Sequence, residues 1–162
     1  MTSENAIVAG YGGWAEAANQ QLQHPGIDRA FLAAHLLTGG SEQAECVIMG
    51  AIASWGPEQS EDELFEQVLR AAVRNPVEDE QLLANQADLP GASLPSELQA
   101  VLRLAPQLRQ CYVLRVLVGL PRQACAALLR LSLQRIDQYT CAALRCLPLL
   151  ARPASACTEY AA

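Results

Sequence analysis

The chain has 162 residues, 51% hydrophobic and 17% charged, which is a globular composition and excludes a disordered protein. No apolar stretch approaches the ~20 residues that cross a bilayer, and residues 1–13 lack the basic start of a secretion signal. We therefore expect a cytoplasmic protein without membrane contact. The net charge of −6 is divided, with −11 over residues 1–94 and +6 over residues 95–152. The second part can approach phosphate groups that the first part repels.

The first part of the chain is predicted to form a small helical bundle over residues 27–75, after an N-terminal segment over residues 1–26. Apolar residues recur at helical spacing over residues 27–37, and the two glycines that follow favour the left-handed conformation that ends a helix. Ser41 is the predicted cap of a second helix, which extends to about Trp55.

A capping box predicts where the third helix begins. Ser60 and Glu63 have the spacing at which each side chain bonds the other residue's backbone N–H, and the helix stops before Pro76. Residues 76–94 are acidic and contain two prolines and a glycine, so they are predicted to be a linker.

Residues 95–150 are predicted to form a second bundle, followed by a tail over residues 151–162. Pro106 suits the first turn of a helix, where its missing N–H is not needed. Two further short helices follow, joined by a tight turn that ends at Ser132, a good N-cap. Ile136 begins an apolar face on the last helix. The arrangement is that of a helix-turn-helix, whose second helix enters the major groove of DNA.

A run of positions through these helices carries a resemblance to a known family: residues 104–115, Gly119-Leu120, Ala126, Leu129, Leu131-Ser132 and Ile136. This run resembles region four of the extracytoplasmic-function (ECF) sigma factors of bacterial RNA polymerase. A weaker set resembles region two of the same family: Leu37-Thr38-Gly39, Ala44-Glu45, Trp55 and residues 69–75. The resemblance covers residues 27–150. It implies an all-α protein of two small helical bundles, one for each promoter element.

The chain departs from the family pattern at four places. Residues 46–52 are almost wholly apolar where the family has acidic and amide residues that dock on the polymerase. Residues 76–80 bring a proline and three carboxylates where the family continues with basic residues. Asp137 stands where the family usually has a basic residue. Arg130 replaces the turn glycine, which costs about 1 kcal/mol if the left-handed conformation is kept.

The last helix carries the candidate DNA-binding residues. Gln134, Arg135 and Gln138 lie in its first turns, and their side chains can make paired contacts with base edges. Arg122 and Arg130 could flank them on phosphates of a DNA duplex. The alternative is a solvated helix face with ordinary arginines, which Asp137 in its middle favours.

The apolar stretch of the second predicted helix carries the candidate protein-binding residues: Cys46, Val47, Ile48, Met49 and Ile52. One interpretation is a helix buried on all sides in a small bundle. The other is an exposed surface for a partner, such as an anti-sigma factor or the RNA polymerase core. These side chains cannot easily all face inward, so some apolar surface is expected to be exposed.

Two hypotheses follow for the whole chain. The first is a sigma-factor-like regulator that acts mainly through protein contacts, with weak DNA binding by the helix-turn-helix. The alternative is a functional ECF sigma factor that directs transcription initiation. No nucleophile elbow, P-loop, dinucleotide fingerprint or metal-hydrolase motif occurs, so neither an enzyme nor a cofactor is predicted. The six cysteines include no CxxC pair, and we expect free thiols without a metal.

Overall fold

A computed structural model describes residues 26–75 and 94–150, and every regular element within these ranges is helical. The prediction of an all-α protein is therefore confirmed for the described residues. The helices are α1 (Ile27–Thr38), α2 (Ser41–Ala53), α3 (Glu61–Arg74), α4 (Ser96–Leu102), α5 (Pro106–Tyr112), α6 (Arg122–Leu129) and α7 (Leu133–Leu150). The predicted N-terminal segment, nearly all of the linker and the tail lie outside the described residues. Within the described ranges, no helix is long and apolar enough to span a membrane.

The helices α1, α2 and α3 pack against one another as one bundle. Gly39 ends α1 in the left-handed conformation, with φ 89° and ψ 2°, as the sequence predicts. The prediction that Ser41 caps α2 is wrong, because the N-cap is Gly40 and Ser41 is already the first helical residue. The polar group in this turn is Thr38, whose hydroxyl donates to the Ala34 carbonyl at 2.8 Å and accepts from the Gly40 N–H at 3.4 Å.

The capping box at the start of α3 is confirmed. The Ser60 Oγ accepts from the Glu63 N–H at 3.3 Å, and the Glu63 carboxylate accepts from the Ser60 N–H at 3.2 Å. Such a cap stabilises a helix by about 1 kcal/mol. It fixes the start of the helix, whose buried face then packs into the core: Leu64, Val68, Leu69 and Ala72.

A π-helical turn extends the chain beyond α5, ahead of the turn that leads to α6. Pro106 occupies the first helical position, as predicted, and the helix continues beyond Tyr112 as a π-helical segment, Val113–Leu117. The Val118 N–H donates to the Val113 carbonyl at 2.8 Å, and Gly119 then turns the chain with φ 79°. The π-helical segment and the turn at Gly119 thus connect α5 to α6.

The two halves of the described chain share one hydrophobic core. In the contacts between them, α1 lies against α4 and α5, and α3 lies against α6. Arg109 on α5 is fully buried and donates to the Leu102 carbonyl and, across the halves, to the Thr38 carbonyl, both at 3.3 Å. Gln110 donates to the Val73 carbonyl at 3.4 Å. The contact between the halves therefore rests on side-chain donors and backbone carbonyls together with apolar packing.

Candidate functional site

The turn between α6 and α7 is built by Arg130 and Ser132. Arg130 adopts the left-handed conformation, with φ 54° and ψ 41°, and its N–H and that of Leu131 donate to the Ala126 carbonyl. The Ser132 Oγ accepts from the Arg135 N–H at 3.3 Å and so caps α7. An arginine thus holds the position that glycine would occupy without strain, at a cost of about 1 kcal/mol.

The helix α7 separates a buried face from an exposed face. Ile136, Ala143 and Leu147 are almost completely buried against the rest of the C-terminal half. Gln134, Arg135 and Gln138, three of the candidate DNA-binding residues, are exposed together on the first turns of α7. The structure therefore brings these three side chains to one surface next to the turn.

Two contacts hold charged groups on this surface. The Arg122 Nη1 on α6 lies 3.1 Å from the Asp137 Oδ2 on α7, and both side chains are partly exposed. The Arg135 Nη1 donates to the Tyr139 hydroxyl at 2.9 Å. Asp137 is therefore not an isolated negative charge. The same ion pair engages Arg122, which is one of the two predicted phosphate contacts. Residues fifteen positions apart meet here because the turn folds α7 back onto α6.

The candidate protein-binding residues on α2 divide between the core and the surface. Val47 and Ile48 are each only 7% exposed, and Ile52 is partly buried. Met49 is 66% exposed and Cys46 is also exposed. The outward-facing members of the predicted set are thus Cys46 and Met49.

A groove of about 500 Å³ runs between α2 and α3 beside Cys46. Its lining residues are Glu42, Gln43, Cys46, Val47, Gly50, Ala51, Gln67, Ala71 and Asn75. The Gln67 Nε2 on α3 donates to the Ser54 Oγ, just beyond the end of α2, at 2.6 Å. Sequence analysis identified only Cys46 and Val47 of this set. Gln67, Ala71 and Asn75 are spaced four residues apart, so the sequence alone could have shown that they share one face of α3.

An acceptor in the groove lacks a donor within the described chain. The Oε1 atom of Gln43 is buried and has no hydrogen-bond partner among residues 26–75 and 94–150. Buried amide oxygens are nearly always hydrogen-bonded in folded proteins. Since this oxygen is shut off from solvent, it is an internal acceptor of α2 and not a contact that the open groove offers to a partner.

Five of the six cysteines lie in the described residues, and all five are free thiols: Cys46, Cys111, Cys125, Cys141 and Cys146. Burial raises the pKa of Cys111 to about 12, with a smaller contribution from Cys125, and burial also raises the pKa of Cys125 to about 11. These two thiols stay protonated near neutral pH and act as core side chains. Within residues 26–75 and 94–150, no three histidine, cysteine or acidic side chains are placed to hold a metal ion.

Comparison with known proteins adds no relative. No protein-family model matches the chain, and no curated protein and no solved structure matches it either. Two surfaces of the described chain are candidates for function, the exposed face of α7 and the α2 surface with its groove.

Proposed function

We propose that this protein is a sigma-factor-like transcription regulator that acts mainly through contacts with a protein partner, such as an anti-sigma factor or another regulator. The observation that carries this proposal is the surface of α2, where Cys46 and Met49 face outward beside an apolar groove. An exposed apolar surface of this kind favours a protein partner. Weak binding of duplex DNA by the exposed face of α7 is the second part of the proposal.

The charge of the N-terminal half supports a protein partner over nucleic acid. Residues 26–75 have a net charge of −5, and all eight of their acidic residues are exposed. Capture of a melted DNA strand needs cationic side chains and free aromatic faces. Here Arg70 pairs with Glu66 at 3.3 Å, and the Arg29 guanidinium covers the Phe65 ring at 4.2 Å from its centroid. Arg29, Arg70 and the Phe65 ring are thus engaged within the protein, whereas Trp55 and Arg74 are exposed.

The alternative function is that of an ECF sigma factor that directs initiation with the RNA polymerase core. One observation in the structure supports this alternative, although Asp137 disfavours DNA binding when the sequence is considered alone. Asp137 lies against Arg122, so the acid repels phosphate less than an isolated carboxylate would. Gln134, Arg135 and Gln138 remain exposed beside it for contact with base edges.

Transcription with purified components separates the two functions. We expect that the full chain with RNA polymerase core gives no specific run-off transcript from a library of genomic promoters. Transcripts that depend on this protein, and that Arg135→Ala reduces, would overturn the proposal and establish the alternative.

A partner contact through α2 has its own test. Met49→Glu puts a charge on the proposed surface, and we expect it to abolish binding to a partner captured by the wild-type chain. Leu149→Glu is the matched control, because Leu149 is an equally large apolar residue that is 71% exposed on α7. Equal loss of binding by both variants would contradict a contact centred on α2.

A further inference from the structure

We infer that the groove between α2 and α3 binds an amphipathic helix of the protein partner, with apolar side chains on one face and lysine or arginine beside it. This inference rests on the proposed function, because it specifies the partner of the same α2 surface. The bound segment is a helix of defined chemistry, and it contacts residues of both α2 and α3 rather than residues 46–52 alone.

The shape of the groove suits the apolar face of a helix. Small and apolar side chains form much of its lining: Cys46, Val47, Gly50, Ala51 and Ala71. A Cβ atom built on Gly50 would meet no other atom within 4 Å, so there is open space in front of this part of α2. Two helices that leave an apolar groove between them present the surface that recognises the apolar positions of a third helix.

The exposed carboxylates beside the groove favour a partner with positive charge. Glu42 lies on its lining and is exposed, and Glu45 follows on the outer face of α2. A lysine or arginine beside the apolar face of the bound helix would meet the exposed Glu42 carboxylate.

The position of Glu42 also indicates at which end of the groove the cationic residues of the partner bind. The Gln67 Nε2 donates to the Ser54 Oγ, just beyond the end of α2. Glu42 and Gln43 lie at the first turn of α2, at the other end. The cationic residues of the partner therefore belong at the end near the start of α2. The net charge of −5 over residues 26–75 attracts a cationic helix and repels an acidic one.

Two synthetic helical peptides test this inference on the full chain. Both carry leucine and alanine on one face, and they differ only in having lysine or glutamate on the other face. We expect fluorescence anisotropy at physiological ionic strength to show binding of the lysine peptide and none of the glutamate peptide. Equal binding of the two peptides, or binding of neither, would overturn the inference.

Substitutions then locate the binding. Gly50→Leu fills the open space and should weaken the lysine peptide by about tenfold or more. Ala127→Leu adds the same side chain at an exposed position of α6 and should leave binding unchanged. Glu42→Gln should weaken binding several-fold, whereas Glu58→Gln, the same charge change in the exposed loop before α3, should have a smaller effect. Gly50→Ala changes the same position but leaves the groove open, and circular dichroism of every variant checks that the fold is kept. Unchanged binding in folded Gly50→Leu would overturn the inference.

Two other occupants would give distinct results. A second copy of the chain would appear as a dimer in sedimentation that Gly50→Leu abolishes. Another segment of this chain would protect Cys46 from a thiol reagent while the exposed Cys141 reacts, and the lysine peptide would not bind. Either result overturns the inference. Run-off transcription does not depend on these peptides, so failure of the inference and failure of the proposed function can be told apart.

Discussion

Residues 26–75 and residues 94–150 are both built from short helices, yet they present opposite charges to solvent. The first range has a net charge of −5 with all its acidic residues exposed, and the second has +5 with most of its arginines at least partly exposed. Arg109 is the exception, because it is fully buried and bonds the Thr38 carbonyl of the other half. The outer surfaces of the two halves therefore differ in the sign of their charge, whereas the contact between the halves pairs side-chain donors with neutral backbone carbonyls.

The largest expected effect comes from breaking this contact. Arg109→Ala removes a buried donor and leaves the carbonyls of Thr38 and Leu102 without it, so we expect the free energy of unfolding to fall by about 3 kcal/mol or more. Urea denaturation measures this change. Arg103→Ala, which removes an exposed arginine that bonds the Leu150 carbonyl, should cost less than about 1 kcal/mol. Equal losses in the two variants would contradict the role of Arg109 as the bridge.

A second effect concerns pH at the same contact. Burial lowers the pKa of His35, and the positive charge of Arg109 lowers it further against a backbone hydrogen bond to Gly40. The unfolded chain therefore binds the proton more readily, and stability falls as the pH drops below the ordinary histidine value of 6.5. One proton accounts for at most about 1.4 kcal/mol per pH unit.

Urea titrations at neutral pH and below 6.5 check this dependence on His35. His35→Gln should remove the loss of stability in that window. His24→Gln is the control, because it removes the other histidine of the chain. A loss that persists unchanged in His35→Gln would assign the pH dependence to other groups.

A third prediction concerns the left-handed backbone conformation of Arg130 in the turn between α6 and α7. Arg130→Gly places glycine in a left-handed position and should raise the free energy of unfolding by up to about 1 kcal/mol. Arg145→Gly makes the same change inside α7 and should lower it by about 1 kcal/mol. Thermal or urea unfolding measures both variants. Changes of the same sign would mean that the backbone conformation at Arg130 does not control the effect.

The smallest expected effect concerns duplex DNA. Asp137→Asn frees Arg122 and removes a negative charge, so we expect duplex affinity to rise several-fold, with a steeper dependence on salt. Arg122→Ala should weaken all duplexes alike, and Arg135→Ala should also relax sequence preference. Anisotropy titrations with the full chain are the measurement. The full chain is preferable to its C-terminal half, which would expose Arg109. An unchanged affinity in Asp137→Asn would contradict a phosphate-binding role for Arg122.

Local signals in the sequence predicted most of the helix boundaries. Gly39, the Ser60–Glu63 capping box, Pro106 and the cap at Ser132 all act within a few residues of the helix ends that they determine. Ser41 is the exception, because the neighbouring glycine adopts the extended conformation of the cap instead. The all-α class and the exposed face of α7 could be predicted because helical periodicity is also a local property.

Only the tertiary structure decided which side chains meet. Arg109 and Thr38 are 71 residues apart, and the pairing of Arg122 with Asp137 depends on how α7 folds back over α6. The groove likewise needs α2 and α3 side by side, so composition could mark residues 46–52 as apolar without showing that Val47 is buried while Met49 is exposed. The physical reason is that a helix end is determined by bonds within one or two turns, whereas burial and pairing depend on the relative placement of separate helices.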